Sequence, residues 1–563
     1  MAVDTVHGHA EAHDHIHPPP SGFIQKYVFS LDAKVIGIQY MVTALMFFMI
    51  SGMLAEIIRT QLLTPTGAIV SRDTFNGIYS IHGSSMVWMV IIPLVTGGFG
   101  NFVMPLQIGA RDVAFPWLNL ASFWLYPLAG VILFSSFLIG APDAGWTEYP
   151  PVSVQGPPGT TMWCIAIFFI GISSTMTGIN FMVTIIKMRA PGMTFTRMPL
   201  FVWAQLATAA LNMIATTALA GALLALFLER VFNVPFYDPS RGGSPILWQH
   251  MFWFYSHPAV YIMILPAFGI ISEVFPTFAR KPIFGYKMIA FSTVAIALLG
   301  FMVWAHHMFT SGMAPWLQLP FMILTMIIAV PTGIKIFSWV ATLWGGKIEY
   351  TPAMLFAIGF VVVFTFGGIT GIFLAAVPVD LHEHGTYFVV AHIHYVLFGG
   401  TMFGVFAGVY YWWPKITGRM MNEALGKWHF WTTFIGFNVT FLPMHWLGLL
   451  GMPRRVATYR PEFQFWNDVA TAGSYLLGLS MLFLLANMIW SFRKGPKAGP
   501  NPWKARTLEW TISSPAPYYN FKKIPAVLKA PYNFGEPLPY IGIEYDTPFP
   551  HASQAEPLPA GTV

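Results

Sequence analysis

Twelve continuously apolar runs decide what this chain can fold into. They lie at 35–58, 80–105, 118–141, 162–187, 200–228, 247–275, 286–310, 317–343, 353–377, 388–412, 429–450 and 470–492. A helix needs about 20 apolar residues to cross the hydrocarbon core of a bilayer. In lipid every backbone polar group must be satisfied internally, so only helices and closed barrels span. Barrel strands alternate apolar and polar residues, and these runs do not, so helices are expected. Charge supports the same class. Only 9% of the 563 residues are charged, against about 25% in soluble domains. The expected fold is all-α and polytopic, with about twelve transmembrane helices.

Three segments are expected. Residues 1–34 form an N-terminal tail, 35–492 the twelve-helix core and 493–563 a C-terminal tail without a span. The N-terminal tail holds His7, His9, His13, His15 and His17 before three prolines. It reads as a disordered tail, with metal binding as the alternative. It lacks the charged and apolar regions of a cleaved signal peptide. Lys and Arg gather in connections after even-numbered spans, as at Lys187, Arg189, Arg280, Lys281, Arg493 and Lys494. Connections after spans three, seven and nine carry none. The positive-inside rule then puts both termini in the cytoplasm. The net charge of +6 reads as an orientation signal, not as a nucleic-acid surface. The one cysteine, Cys164, lies in an apolar run, so no thiolate-held cluster or dinuclear copper fits within this chain. Metals would have to be held by histidine.

The histidines carry the chemistry. His392 and His394 stand two apart in VVAHIHY, which turns their side chains by roughly 200° on a helix. They leave on opposite faces, so one helix can ligate two cofactors. Two satisfied core histidines are the bland alternative. The topology places His82, His257, His306, His307, His392 and His394 at one depth, in the outer half, from four spans. Independent core histidines would not align in this way. His257, His306 and His307 suit a copper or zinc ion with one open position. His257 and Tyr261 are spaced i,i+4 and share a face. Ionisable groups inside a membrane are functional-site candidates by default.

Over roughly residues 30–512 the chain resembles subunit I of the heme–copper oxidases, of the aa3 cytochrome c oxidase type. The motifs are IHGSSM, ARDVAFPWLN, SHPAVY, VWAHHMFTSGM, VPTGIK, HGTYFVVAHIHYV and GLLGMPRR. The resemblance implies the heme–copper oxidase subunit I fold. It makes His82 and His394 the axial ligands of low-spin heme a, and His392 the single protein ligand of high-spin heme a3. His257, His306 and His307 would hold copper B, and Tyr261 would be a redox-active tyrosine joined to a copper histidine. Arg59 would face the low-spin heme formyl group. Arg454 and Arg455 would bind heme propionates, and Trp253 would also border the cofactors.

The resemblance also implies two proton routes from the cytoplasm. Lys335, Thr332 and Ser272 would form one, ending at Tyr261. Asp112 would open the other, lined by Asn101 and Asn119. Two departures follow. Where many relatives have glutamate, this chain has Ala259, so the second route lacks its usual end. Tyr255 and Ser256 stand one turn earlier on the same face, and resemble the pair that replaces glutamate in one oxidase subgroup. His384 matches a magnesium ligand, but Gly385 stands where aspartate is usual, and Glu383 or a partner subunit would have to supply the oxygen.

The implied activity is reduction of O2 to water coupled to proton pumping in a bacterial plasma membrane. Electrons would come from cytochrome c through a dinuclear copper in subunit II. Subunit III and small subunits are implied as partners. The nearest rival is a quinol oxidase of the same fold. By resemblance its quinone site would need an Arg/Asp pair, a His and a Gln where this chain has Phe47, Ser51, Thr74 and Gly77. A nitric oxide reductase is opposed by Tyr261 and Lys335. A transporter or heme electron carrier would need neither the histidine triad nor His392 with an open partner side.

Overall fold

The computed structural model describes residues 20–67 and 69–543. The His-rich segment from His7 to His17 lies outside the described residues. The first six main helices are α1 (Ala33–Gln61), α2 (Arg72–Ile108), α3 (Pro116–Leu138), α4 (Pro158–Lys187), α5 (Leu200–Phe232) and α6 (Pro245–Ala279). The second six are α7 (Tyr286–Gly300), α8 (Pro315–Leu343), α9 (Pro352–Ala375), α10 (Tyr387–Thr417), α11 (Glu423–Leu449) and α12 (Pro461–Lys494).

Among the described residues, ten of these helices are long and apolar enough to cross a membrane. The expectation of twelve such spans is thus met differently at two places. The helix expected over 286–310 stops at Gly300, and a short 3-10 turn, Trp304–Met308, carries His306 and His307. Gly300 sits where a Cβ would come within 2.8 Å of the Tyr261 ring, so only glycine lets the two helices approach. Helix α11 is 27 residues long, but His429, Asn438 and His445 dilute its apolar character. His429 and His445 are buried against neighbouring helices, so lipid does not have to accept them.

Helix starts follow local chemistry. Ser71 caps α2 by accepting from Thr74 N, Thr386 caps α10 by accepting from Phe388 N, and Asn422 caps α11 by accepting from Leu425 N. Proline opens α3, α4, α6, α8, α9 and α12, where its missing N–H costs nothing. Consecutive helices pack side by side from α3 to α6 and again from α9 to α12, and α12 returns against α1. Burial separates the helices by role. In their most apolar windows α2 is 94% and α6 is 89% buried, against 17% for α1 and 11% for α8. Helices α2 and α6 are therefore the axis of the bundle, and they carry His82 and His257.

Two helices change pitch beside their histidines. Helix α2 is π-helical over Met86–Ile91 and Pro93–Gly98, just after His82. Helix α10 is π-helical over Leu397–Met402, just after His394. Such bulges recur at functional sites because they re-aim side chains within an otherwise regular helix.

The chain after α12 lies on the bundle. Lys415 of α10 donates to the carbonyls of Pro500 and Ile512. Glu509 accepts from Gln107 of α2 and Trp412 of α10. Tyr532 donates to Glu273 of α6. A two-residue ribbon, β1 (Ala526–Val527) against β2 (Tyr540–Ile541), closes this segment.

Candidate metal and heme site

Helix α6 and the turn after α7 bring three imidazoles to one point. The ligand nitrogens of His257, His306 and His307 lie within 4.8 Å of one another. Nδ1 of His257 is 3.2 Å from Nε2 of His307, which is 2.9 Å from Nε2 of His306. With metal–nitrogen bonds of about 2 Å, ligands of one ion stand roughly 3 Å apart. Three nitrogens facing each other this closely need a proton or a cation between them. The donor set therefore fits a copper-type ion with a further open position.

Second contacts fix the rings. Thr325 Oγ1 lies 3.0 Å from Nδ1 of His306. The Trp253 indole stacks on His307, centroids 3.7 Å apart and planes 10° apart, and its Nε1 donates to Tyr149 OH. The Tyr261 ring stands edge-on to His257 at 4.9 Å, and Nε2 of His257 has no partner. Sequence placed Trp253 and Tyr261 here but gave no sign of Thr325 or Tyr149, which are distant in the chain.

The other three histidines share a different device. Nδ1 of His82 is 2.9 Å from the Ser51 carbonyl. Nδ1 of His394 is 2.7 Å from the Val390 carbonyl. Nδ1 of His392 is 3.0 Å from the Gly367 carbonyl and 3.1 Å from Thr370 Oγ1. A carbonyl only accepts, so each Nδ1 carries the proton and each Nε2 is left as a lone pair. That is the tautomer a metal ligand needs. All three rings are only half-buried although they belong to helices of the bundle. His394 stacks on Phe441, 4.2 Å between centroids. With Nε2 free as a lone pair, these residues fit heme iron.

The arginines are also poised for acceptors. Arg59 is buried and donates through Nη2 to Asn467 and Thr471. Its Nε and Nη1 have no partner, which fits a carbonyl acceptor on a bound group. Arg455 donates to the Ala144 carbonyl and to Thr147 Oγ1. Burial, with the neighbouring Arg455 charge, pushes the Arg454 guanidinium down to about 10. Two adjacent, half-buried cations are a natural seat for carboxylates.

On the first expected route, Lys335 Nζ donates to the Ile289 carbonyl at 2.9 Å and to Thr293 Oγ1 at 2.5 Å. Thr332 Oγ1 donates to Ile328 O of its own helix. Ser272 Oγ donates to Phe268 O and accepts from Trp339 Nε1. Thr293 is thus the direct partner of Lys335, a contact across helices α7 and α8 that sequence could not reveal. On the second route, Asp112 accepts from Val113 N and Ala33 N. Asn119 donates to Asn101 at 2.7 Å, and Ser122 beyond them meets Tyr40 and Thr177. Tyr255 OH accepts from Trp88 Nε1 at 3.1 Å, and the buried Ser256 Oγ has no partner. His384 Nδ1 lies 2.9 Å from Asp380 Oδ2, while Glu383 accepts from Thr386. The oxygen beside His384 is therefore that of Asp380, one helical turn earlier in DLHEH, not Glu383. Gly385 has φ +77°, a conformation aspartate would adopt only with strain.

The chain is similar to known proteins over most of its length. A family model described as Cytochrome C and Quinol oxidase polypeptide I matches residues 35–476. Cytochrome c oxidase subunit 1 of Thermostichus vulcanus is 52% identical over 520 residues, 92% of this chain and 94% of that protein. The protein of the same description from Bacillus subtilis (strain 168) is 47% identical over 506 residues, 89% and 81% of the two chains. A solved heme-copper terminal oxidase dimer shares the fold, with a TM-score of 0.70 at 19% identity, over 83% of this chain and 85% of that one.

Proposed function

The chain belongs to the cytochrome c and quinol oxidase polypeptide I family, and from that premise we propose how its residues divide the work. It is the catalytic subunit of a terminal respiratory oxidase of the cytochrome c oxidase type, a multi-pass membrane enzyme that uses heme and copper. The convergence of His257, His306 and His307 carries the finer reading.

His82 and His394 would hold low-spin heme a, His392 high-spin heme a3, and the triad copper B. When bound, these groups supply electron transfer and oxygen chemistry. The protein's own share is orientation and protons. The carbonyls of Ser51, Val390 and Gly367 fix the heme ligands' tautomers. Arg59, Arg454 and Arg455 neutralise and orient heme substituents. Tyr261 stands next to His257, where its phenol can give a proton and an electron. Lys335 with Thr293 relays protons toward it, together with Thr332 and Ser272. Asp112, Asn101 and Asn119 admit protons along the second route. The unpartnered Ser256 hydroxyl and the Tyr255 phenol replace the missing carboxyl at its end, with water completing the line. His384 and Asp380, with an oxygen from a partner, would hold magnesium.

Electrons would arrive from cytochrome c through subunit II. Packing at the quinone positions favours this donor. Phe47 stacks on Phe134 at 5.6 Å, Ser51 pairs with Ser85 at 2.5 Å, and a Cβ on Gly77 would come within 2.8 Å of Ala141. The chain would sit in a bacterial plasma membrane with both termini cytoplasmic and partners that include subunit III.

The purified complex should consume O2 with reduced cytochrome c as donor and not with quinol. Oxidation of quinol at the faster rate would overturn the donor assignment. Replacing Tyr255→Phe together with Ser256→Ala should lower turnover and proton pumping. Unchanged values for both would remove the pair from the route.

A further inference from the structure

The connection between α3 and α4 holds a carboxyl that the reading above leaves unused. Glu148 is 0% exposed, and neither Oε1 nor Oε2 has a hydrogen-bond partner. Its backbone is left-handed, φ +42°. A non-glycine residue is costly there and persists only where its surroundings fix it, often at functional sites. A buried polar group without a partner calls for an explanation.

The loop ties Glu148 to both sides of the cofactor site. One residue before it, Thr147 Oγ1 accepts from Arg455, and the Thr147 carbonyl accepts from Trp248 Nε1. One residue after it, Tyr149 OH accepts from Trp253, whose ring stacks on His307. The residues on either side of Glu148 thus touch the arginine assigned to the heme propionates and the indole against a copper ligand, and the Arg455 charge acts on the Glu148 carboxyl itself. By the positive-inside pattern this is the outer side.

Nearby charge does not bind it. Arg230 of α5 spends its donors on the carbonyls of Ser153, Val154, Gly156 and Pro157 and on Thr161 Oγ1. Arg455 spends its donors on Ala144 and Thr147. The other titratable groups facing Glu148 are Asp143 of the same loop, Tyr79 of α2 and Cys164 of α4. Burial pushes its carboxyl well above the usual range, and Asp143 adds to this. The Arg230 and Arg455 charges oppose it less strongly. Three more buried oxygens in this loop and the start of α4 lack partners, Asp143 Oδ1, Ser153 Oγ and Thr160 Oγ1. Asp143 Oδ1 and Thr160 Oγ1 each lie 3.2 Å from the place of a Cβ on Gly156. Buried oxygens left unpaired in this way are the groups that ordered water satisfies.

We propose that Glu148 is a proton-holding residue on the exit side, whose proton occupancy follows the redox state of the cofactors beside Arg455 and Trp253. The step is an acid–base one. A proton delivered from the inner side forms the carboxyl O–H bond when the cofactors are reduced. That bond breaks and the proton leaves outward when they are reoxidised, and Glu148 itself exchanges no electrons. The proposal rests on the oxidase reading, and the two can fail separately.

The test is reduced-minus-oxidised infrared spectroscopy of the purified complex, with proton pumping measured in vesicles. The native complex should show a protonated-carboxyl band that shifts in heavy water. Glu148→Gln should lose that band, keep O2 consumption within about twofold, and pump fewer protons per electron. Glu148→Asp should shift the band and restore pumping. A band retained in the Gln variant, or native pumping in it, would overturn the proposal. If the Gln variant does not assemble, an unshifted band in the Asp variant overturns it. A native complex that cannot reduce O2 with cytochrome c would overturn the oxidase reading instead.

Discussion

The two sets of histidines are held in different ways. His82, His392 and His394 each set Nδ1 against a backbone carbonyl, so their orientation is built into the helices before any cofactor arrives. His257, His306 and His307 instead face one another. Their outside supports are single side chains, Thr325 at His306 and the stacked Trp253 at His307. The first set is a pre-oriented frame. The second is a cluster whose facing nitrogens need a proton or a cation between them. Damage to the frame should therefore be graded, and damage to the cluster close to all-or-none.

The sharpest way to break this comparison is His306→Ala. It should remove copper from the chain and cost more than the about 10–100-fold typical of an outer-shell partner, while the low-spin heme spectrum stays. Full copper content in that variant, measured by elemental analysis, would end the distinction. Next is Gly371→Ala. A Cβ there would stand 3.0 Å from Cε1 of His392, and the Gly367 carbonyl limits how far the ring can yield. Carbon monoxide binding should fall in proportion to the displaced heme, with copper unchanged. A variant that binds carbon monoxide normally would show that the ring is not rigidly held.

Thr325→Val comes third. It leaves Nδ1 of His306 without its only side-chain partner, and copper should be stripped by chelator about tenfold more readily. Equal resistance to chelation would mean that Thr325 does not support the ligand. The smallest effect belongs to Thr370→Val. The Gly367 carbonyl still holds His392, so heme content and turnover should stay within about threefold, the scale of one hydrogen bond. A collapse there would show that the hydroxyl, not the carbonyl, sets the tautomer.

The comparison also explains what could be read in advance. The candidate ligands were legible because metal binding by this chain would demand histidine, and histidine is conspicuous in apolar runs. The spacing of His392 and His394 alone sets them on opposite faces. The pair Asp380 and His384 is spaced i,i+4 and was open to the same reasoning. The carbonyl anchors were not, because every residue has a carbonyl and only tertiary packing chooses which one meets a ring. The stop at Gly300 depends on a ring from another helix, Tyr261. The π-helical segments after His82 and His394 leave the apolar pattern unchanged. Thr293 beside Lys335 and Glu148 near Arg455 are long-range placements of ordinary residues. Of the about twelve helices expected, α7 is cut short at Gly300 beside a metal site and α11 is diluted by His429, Asn438 and His445, and apolar runs alone mark neither.

The central claim is the division of labour between the two histidine sets. The most direct measurement is reduced-minus-oxidised and carbon monoxide difference spectroscopy on the purified complex, paired with copper analysis. The account predicts two hemes, only one of which binds carbon monoxide, and a copper ion retained beyond the dinuclear copper of subunit II. One heme, carbon monoxide binding to both or neither, or no such copper would contradict it.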